Sequence, residues 1–290
     1  MIVDIKGFYD LHVHSSPCLF PRLIDDRGCV QAAASSGLGG IMLKCHHEST
    51  AIRAQKLRQE FPDIKIYGGI VLNEHVGGFN PQAVEECLQL GGKEVWMPTI
   101  DADYHARVYG FKGKYDVLQN EVETSRDLKG LTVLDEQGKI KKNVQEILKL
   151  IAEYNVILGT CHLAPQEIFH LVKAARAIGV KKILITHPFL KTPGLSLEQL
   201  KELIVLGAKA EFCYCTVSMM WRHATVQEVA AAIKEIKPAN AIITSDSGQR
   251  HNPIPPESLR VFAQCLYECG LSKEDISLLA VDNPKGLMEE

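Results

Sequence analysis

Eleven histidines occur in the 290-residue chain, and four of them, His14, His46, His162 and His187, stand at the ends of short apolar runs. His12 precedes His14 by two positions in the run Phe8–His14. Residues two apart in a strand share a face, so these two imidazoles aim together. Asp246 ends another run, Ala241–Asp246. Imidazoles with a carboxylate are the donor set expected for zinc, and iron or manganese also accept it. A lone His-x-His arises easily by chance. The same pair, joined by histidines and an aspartate at the ends of other runs, predicts a divalent-metal centre.

Such ligands are far apart in sequence, so the fold must bring them to one place. Eight runs rich in Val, Ile, Leu and Thr alternate with amphipathic stretches: Phe8–His14, Gly40–His46, Lys65–Asn73, Glu94–Thr99, Val156–His162, Lys182–His187, Ala208–Cys215 and Ala241–Asp246. Their last residues are 32, 27, 26, 63, 25, 28 and 31 positions apart. About 30 residues is one strand-plus-crossover unit. Only the fourth spacing is too long, and it is read as an insertion, residues 104–143, in the loop after strand 4. Within it, Leu131–Leu134 and Lys139–Lys141 flank a turn at Asp135–Gly138 and predict a hairpin. Helix punctuation is clear elsewhere. Asn80-Pro81 opens one helix, the pairs Ser196/Gln199 and Thr225/Glu228 have capping-box spacing, and Pro255-Pro256 begins a helix ending near Gly270. The pattern predicts an α/β fold, a (β/α)8 TIM barrel forming a single domain over residues 1–290. In such a barrel all strand C-termini meet at one face. The alternative, an open doubly wound sheet, usually has a glycine-rich phosphate loop after its first strand, where this chain has none.

Composition narrows the function. Hydrophobic residues make up 46% and charged residues 23%, with a net charge of −3. These values exclude a disordered or collagen-like chain. Without a basic surplus, nucleic acid is not an expected partner. No run approaches the ~18 apolar residues of a membrane span. The start, MIVDIKGFYD, has acids where a signal peptide needs bases, so a cytoplasmic location is expected. The nine cysteines include no CxxC, and the pairs Cys213/Cys215 and Cys265/Cys269 read as core residues.

Four segments carry a family resemblance: Asp10-Leu11-His12-Val13-His14, Gly159-Thr160-Cys161-His162, Thr186-His187-Pro188 and Thr244-Ser245-Asp246-Ser247. Together with the terminal Asp282-Asn283-Pro284-Lys285-Gly286-Leu287, they resemble the amidohydrolase superfamily of metal-dependent hydrolases. Ile70–Asn73, Val76–Pro81 and Trp96–Ala102 look like a functionally uncharacterised branch of it. The resemblance implies that His12, His14, His162 and Asp246 bind one divalent metal, most simply zinc. His187 would take a second metal, or hydrogen-bond the reacting water and the substrate oxygen. Asp246 and His187 would be the catalytic pair. Binuclear members usually take a bridging carboxylated lysine or a glutamate from strand 4. Here strand 4 ends Val95-Trp96-Met97-Pro98-Thr99, with Glu94 at its start. This favours one metal, or a bridge built from Lys44.

Lys44 otherwise reads as an anchor for a substrate anion or half of a buried ion pair, and His46 as a polar site group or a ligand. Asp101 and His105 follow strand 4, as substrate or metal contacts, or with Asp101 capping the next helix. Asn73 ends strand 3 as a substrate donor or a turn residue. Arg22, in the loop after strand 1, either binds a carboxylate bidentately or is solvated. His47 is expected at the surface or facing a helix. His75, His170, His223 and His251 default to structure or surface, and Trp96 and Trp221 to packing. The expected activity is hydrolysis of a C–N or C–O bond in a small molecule: an amide, cyclic amide or lactone. Mononuclear relatives also decarboxylate small acids. Phosphoester hydrolysis fits less well, because PHP-type barrels carry a late Asp-x-His and this chain reads Asp246-Ser247-Gly248. A catalytically retired binding barrel is the non-enzymatic alternative. Homo-oligomers are common among such barrels.

Overall fold

A computed structural model describes residues 2–115 and 129–289. Eight strands form one sheet: β1 (Tyr9–His14), β2 (Gly40–Lys44), β3 (Lys65–Val71), β4 (Glu94–Trp96), β5 (Ile157–Gly159), β6 (Lys182–Thr186), β7 (Lys209–Cys213) and β8 (Ala241–Thr244). Each pairs in parallel with the next in sequence order. The ring closes through a parallel bridge between Val13 and Ser247, where His14 N donates to Ser247 O at 2.8 Å. This is the expected (β/α)8 barrel.

The helices form where the punctuation places them. Asn80 accepts from Gln82 N and Ala83 N to cap Pro81–Gln89. Ser196 and Thr225 close capping boxes on Leu197–Val205 and Val226–Ile236. Pro255–Glu268 begins at the paired prolines. Their apolar stripes pack on outward strand residues such as Ile41, Leu43, Val95, Leu158, Ile185 and Phe212. A second apolar cluster fills the barrel itself, including Tyr9, Leu11, Met42, Trp96 and Leu184. Leu287 and Met288, from the helix Asn283–Met288, belong to that interior cluster. The Asn283 side chain donates to Ala241 O at 2.7 Å, at the start of β8, so the terminal Asn-Pro segment stops the end of the barrel opposite the strand C-termini.

Two sequence readings change. The strands end earlier than the apolar runs: His46 and Asp246 lie two residues beyond β2 and β8, and His162 lies three beyond β5. Cys161, His187 and Asp246 have φ of 49°, 32° and 46°. That left-handed geometry breaks a strand ladder, so His162, His187 and Asp246 sit on the first loop residues, whereas His12 and His14 stay within β1. The expected hairpin is reduced to one antiparallel bridge, Leu134 to Ile140, with Asp135 N donating to Lys139 O at 2.8 Å. Within the insertion, residues 116–128 lie outside the described residues. Among the described residues, no helix is long and apolar enough to cross a membrane.

Candidate metal centre

A β-bulge in β1 aims the first two ligands. Asp10 and Val13, three apart, oppose Ile41 and Leu43, two apart. One residue is therefore extra, and the alternation of faces resets between them. Tyr9 and Leu11 point into the barrel, yet Val13 packs outward against the helices. His12 and His14 consequently face the mouth. Asp10 fixes the bulge: its Oδ1 accepts from His12 N at 3.4 Å and from Ser245 N across the seam at 2.9 Å. Burial pushes the Asp10 carboxyl up to about 7.

His12 Nε2 and His14 Nε2 converge on Asp246 Oδ1, at 3.2 and 3.1 Å. Ligand atoms around a tetrahedral zinc stand about 3.3 Å apart, so these three fit a single cation. Each ring is held from behind. His12 Nδ1 donates to Glu211 Oε1 at 2.9 Å and His14 Nδ1 to Lys44 O at 3.1 Å, leaving both Nε2 lone pairs facing forward. The second oxygen of Asp246 accepts from Cys215 Sγ at 2.8 Å. Burial raises the Cys215 thiol to about 12, so it remains a donor. Burial lowers His14 to about 3 and His187 to about 4, which keeps both rings neutral at pH 7. Burial works against the Asp246 charge, but attraction and hydrogen bonding from the facing imidazoles, when a proton sits among them in the metal-free site, outweigh it and hold the carboxyl well below its ordinary range.

His162 stands beside this triad rather than inside it. Its Nδ1 lies 2.9 Å from His105 Nδ1, and His105 Nε2 lies 2.8 Å from Lys114 O. A carbonyl only accepts, so His105 donates there and its Nδ1 accepts from His162. His162 is thereby left with a free Nε2 lone pair. Its ring meets His187 edge-on, with centroids 5.0 Å apart. His187 Nδ1 is buried and has no hydrogen-bond partner among the described residues.

The other candidates separate into those at the pocket and those behind it. His12, His14, His162, His187 and Asp246 line one pocket with Arg22, Lys44, His46 and His105. The His46 ring stacks on His14 at 4.7 Å, with its Nδ1 2.9 Å from Thr99 Oγ1. The Lys44 ammonium lies 4.9 Å from the Trp96 ring centroid and 3.6 Å from Cys161 Sγ. Burial opposes its charge, yet attraction from Cys161, Asp246, Glu211 and Glu94 gives a net upward shift. That favours the cation over the neutral amine a carboxylated bridge requires. Glu94 is buried with both carboxylate oxygens unpartnered among the described residues, and it is not part of the pocket wall. Arg22 is buried, not solvated: its Nη2 is 3.4 Å from His14 Nδ1.

Asn73 and Asp101 take structural roles. Both Asn73 amide hydrogens are used, on His46 O at 3.0 Å and Thr99 Oγ1 at 2.8 Å, so none is left for substrate. Asp101 does not cap the following helix; its Oδ2 accepts from Glu74 N at 2.9 Å and ties the loop after β3 to that after β4. Conversely, His223 and Trp221 line the pocket, where surface or packing was expected, and Tyr109, Tyr115 and Gln249 join them. Glu211 was missed by sequence reasoning, although an acid inside the apolar run Ala208–Cys215 was the available signal.

A family model of unknown function, DUF6282, matches residues 7–211, well over half of the chain. The chain belongs to the DUF6282 family. The matched span carries His12, His14, His162, His187 and Glu211, while Asp246 lies beyond it. No curated protein matches this DUF6282 chain. Among solved structures it is similar to an amidohydrolase from Pseudomonas aeruginosa, at 12% identity and TM-score 0.64, covering 98% of this chain and 97% of that one. A putative 2-pyrone-4,6-dicarboxylic acid hydrolase from Pseudomonas putida matches at 13% identity and TM-score 0.59, over 97% of both chains. A 2,6-dihydroxybenzoate decarboxylase matches at 12% identity and TM-score 0.55, over 97% of this chain and 99% of that one. At these identities the likeness is one of fold. This chain thus shares the barrel fold of those structures, the fold that the motif resemblance implies.

Proposed function

We propose that this protein is a metal-dependent hydrolase that opens a C–N or C–O bond, an amide, cyclic amide or lactone, in a small anionic molecule. The observation that carries this reading is the convergence of His12 Nε2, His14 Nε2 and Asp246 Oδ1 at the cavity floor. These residues would hold a divalent cation, zinc or, with the same donors, manganese or iron, with His162 and His187 on the same pocket wall as further donors. When bound, such a cation lowers the pKa of water from ~15.7 to ~7 and polarises an acyl oxygen.

Asp246, kept ionised, accepts the proton of the attacking water and returns it to the leaving group. His187 is neutral at pH 7 and can donate one N–H to the developing oxyanion, a contact worth about 3 kcal/mol. Arg22 supplies affinity for an anion. Its neighbour His14 Nδ1 already donates to Lys44 O, so the guanidinium N–H groups on that side remain for a substrate carboxylate. The Lys44 ammonium adds positive charge on the same wall.

A decarboxylase reading shares this centre, and the buried Arg22 favours it specifically, since a carboxylate docked there would lie beside His14. A screen of amides, lactones and carboxylic acids, with carbon dioxide measured in parallel, separates the two. Hydrolysis without carbon dioxide is expected. Asp246→Asn should lower kcat by about 10²–10⁴-fold while retaining part of the metal. Full activity in that variant removes Asp246 from proton transfer.

A further inference from the structure

The loops after β1 and β2 assemble a second donor set beside the pocket but outside the triad. Cys18 lies in the loop after β1, and Cys45 and His47 directly follow β2. One ligand atom from each lies within 4.8 Å of the other two. Cys18 Sγ is 3.8 Å from His47 Nδ1. Around tetrahedral zinc, with Zn–S near 2.3 Å and Zn–N near 2.0 Å, such atoms stand about 3.5–3.8 Å apart. Shifts of about 1 Å or less would therefore bring all three onto one ion. We propose that Cys18, Cys45 and His47 form a second metal site, for zinc or another thiophilic cation, that fastens the loop after β1 to the end of β2.

The surroundings suit a bound thiolate. Cys18 Sγ accepts from Phe20 N at 3.4 Å and from Arg22 Nε at 3.3 Å, and N–H groups of this kind steady the anionic sulfur of a metal ligand. Cys45 is buried, whereas Cys18 and His47 are half-buried, so the site is walled on one side and open to entering metal on the other. The rings of Phe20 and His75 pack edge-on against His47, at 4.7 and 4.6 Å, and fix its plane. Two thiolates and one imidazole are softer donors than the imidazole–carboxylate set at the barrel mouth, and they neutralise a divalent charge next to Arg22. Three protein ligands leave a fourth position for water. The sequence alone did not show the site, because its members are 27 and 2 positions apart and match no zinc-binding spacing. The consequence is mechanical: the clamp would set the position of Arg22 and His46, which lie on the two segments it joins.

The test uses full-length protein, kept reduced, stripped of metal and loaded with Co²⁺ alone. Wild type should show sulfur-to-cobalt charge-transfer absorption in the near ultraviolet. His14→Ala and Asp246→Asn should retain it, because the barrel-mouth triad has only nitrogen and oxygen donors; the outcome is thus independent of the proposed activity. Each of Cys18→Ser and Cys45→Ser should weaken the band, and the double variant should abolish it and lower bound Zn²⁺ by about one per chain. His47→Ala, at a half-buried position, gives a third reading, and circular dichroism shows which variants are folded. Absence of the band in wild type overturns the proposal, whether the two sulfurs remain thiols or close into a disulfide. A band that survives undiminished in the folded Cys18→Ser/Cys45→Ser double variant overturns it too, and points to Cys213 or Cys215.

Discussion

Glu211 has one residue-scale consequence that separates a working ligand from a merely buried histidine. Its carboxylate holds the His12 ring so that Nε2 faces Asp246. Losing such a partner typically costs 10–100-fold in metal affinity. Glu211→Gln should therefore weaken zinc binding by about 10–100-fold in a chelator competition, with the fold intact by circular dichroism; unchanged affinity would make Glu211 a bystander. The buried rings also dictate a pH response in metal-free protein. His14 is lowered to about 3, and His105 and His187 to about 4, against 6.5 in the unfolded chain. Between about pH 4 and 6.5 the unfolded chain binds protons these rings refuse, so stability falls as pH drops through that window. Asp10, raised to about 7, acts oppositely: protonated when folded, it costs stability as pH rises from 3.8 toward 7. His46 and His162 are lowered by burial as well and Glu94 is raised by it; the lowered rings outnumber the raised carboxyls, so the urea midpoint should fall from pH 7 to pH 5. A flat or rising midpoint would show that the rings are hydrated and ordinary.

At the element scale, the seam between β1 and β8 decides whether the ligands meet. The bulge turns His12 and His14 inward, Asp10 bonds across to Ser245, and Asp246 adopts a left-handed turn just beyond β8. Gly248 makes the close approach feasible. It has φ of 136°, and a Cβ there would stand 1.7 Å from His14 O. Gly248→Ala should destabilise by about 3 kcal/mol in urea unfolding and release the metal. Gly138→Ala is the control; it shares a positive φ of 74° but has nothing within 4 Å of the added carbon, and should cost only about 1 kcal/mol. Equal effects would mean the seam tolerates movement. Element types were legible because each apolar run is punctuated by a cap or a glycine. Element ends were not, because the runs Gly40–His46 and Val156–His162 stay strand-like in composition after the ladder has stopped.

For the whole molecule, the centre joins strands at opposite ends of the chain, so a bound cation stabilises the closed ring. At a ligand concentration of 100 Kd the gain is about 2.7 kcal/mol. Stripping with a chelator should lower the thermal midpoint by about 5 °C or more and abolish turnover, and zinc, manganese or iron added back should restore both. A midpoint indifferent to chelation would place the cation outside the seam. The interior plug of Leu287 and Met288 leaves the mouth as the route into the barrel along which the triad is met.

The alternation of strand and helix signals, the His-x-His pair and the aspartate after the last run were readable from residue order, because periodicity and caps are local properties. That His12 and His14 aim together into the mouth was readable too; what turns them there was not. Strict alternation from Tyr9 and Leu11 would have turned both toward the helices, and only pairing with β2 reveals the extra residue that reverses them. Glu211, Cys215 and the thiol–imidazole group around Cys18 are likewise products of closure. Their partners lie 199, 31 and 27 positions away, and no local rule connects them until the barrel shuts.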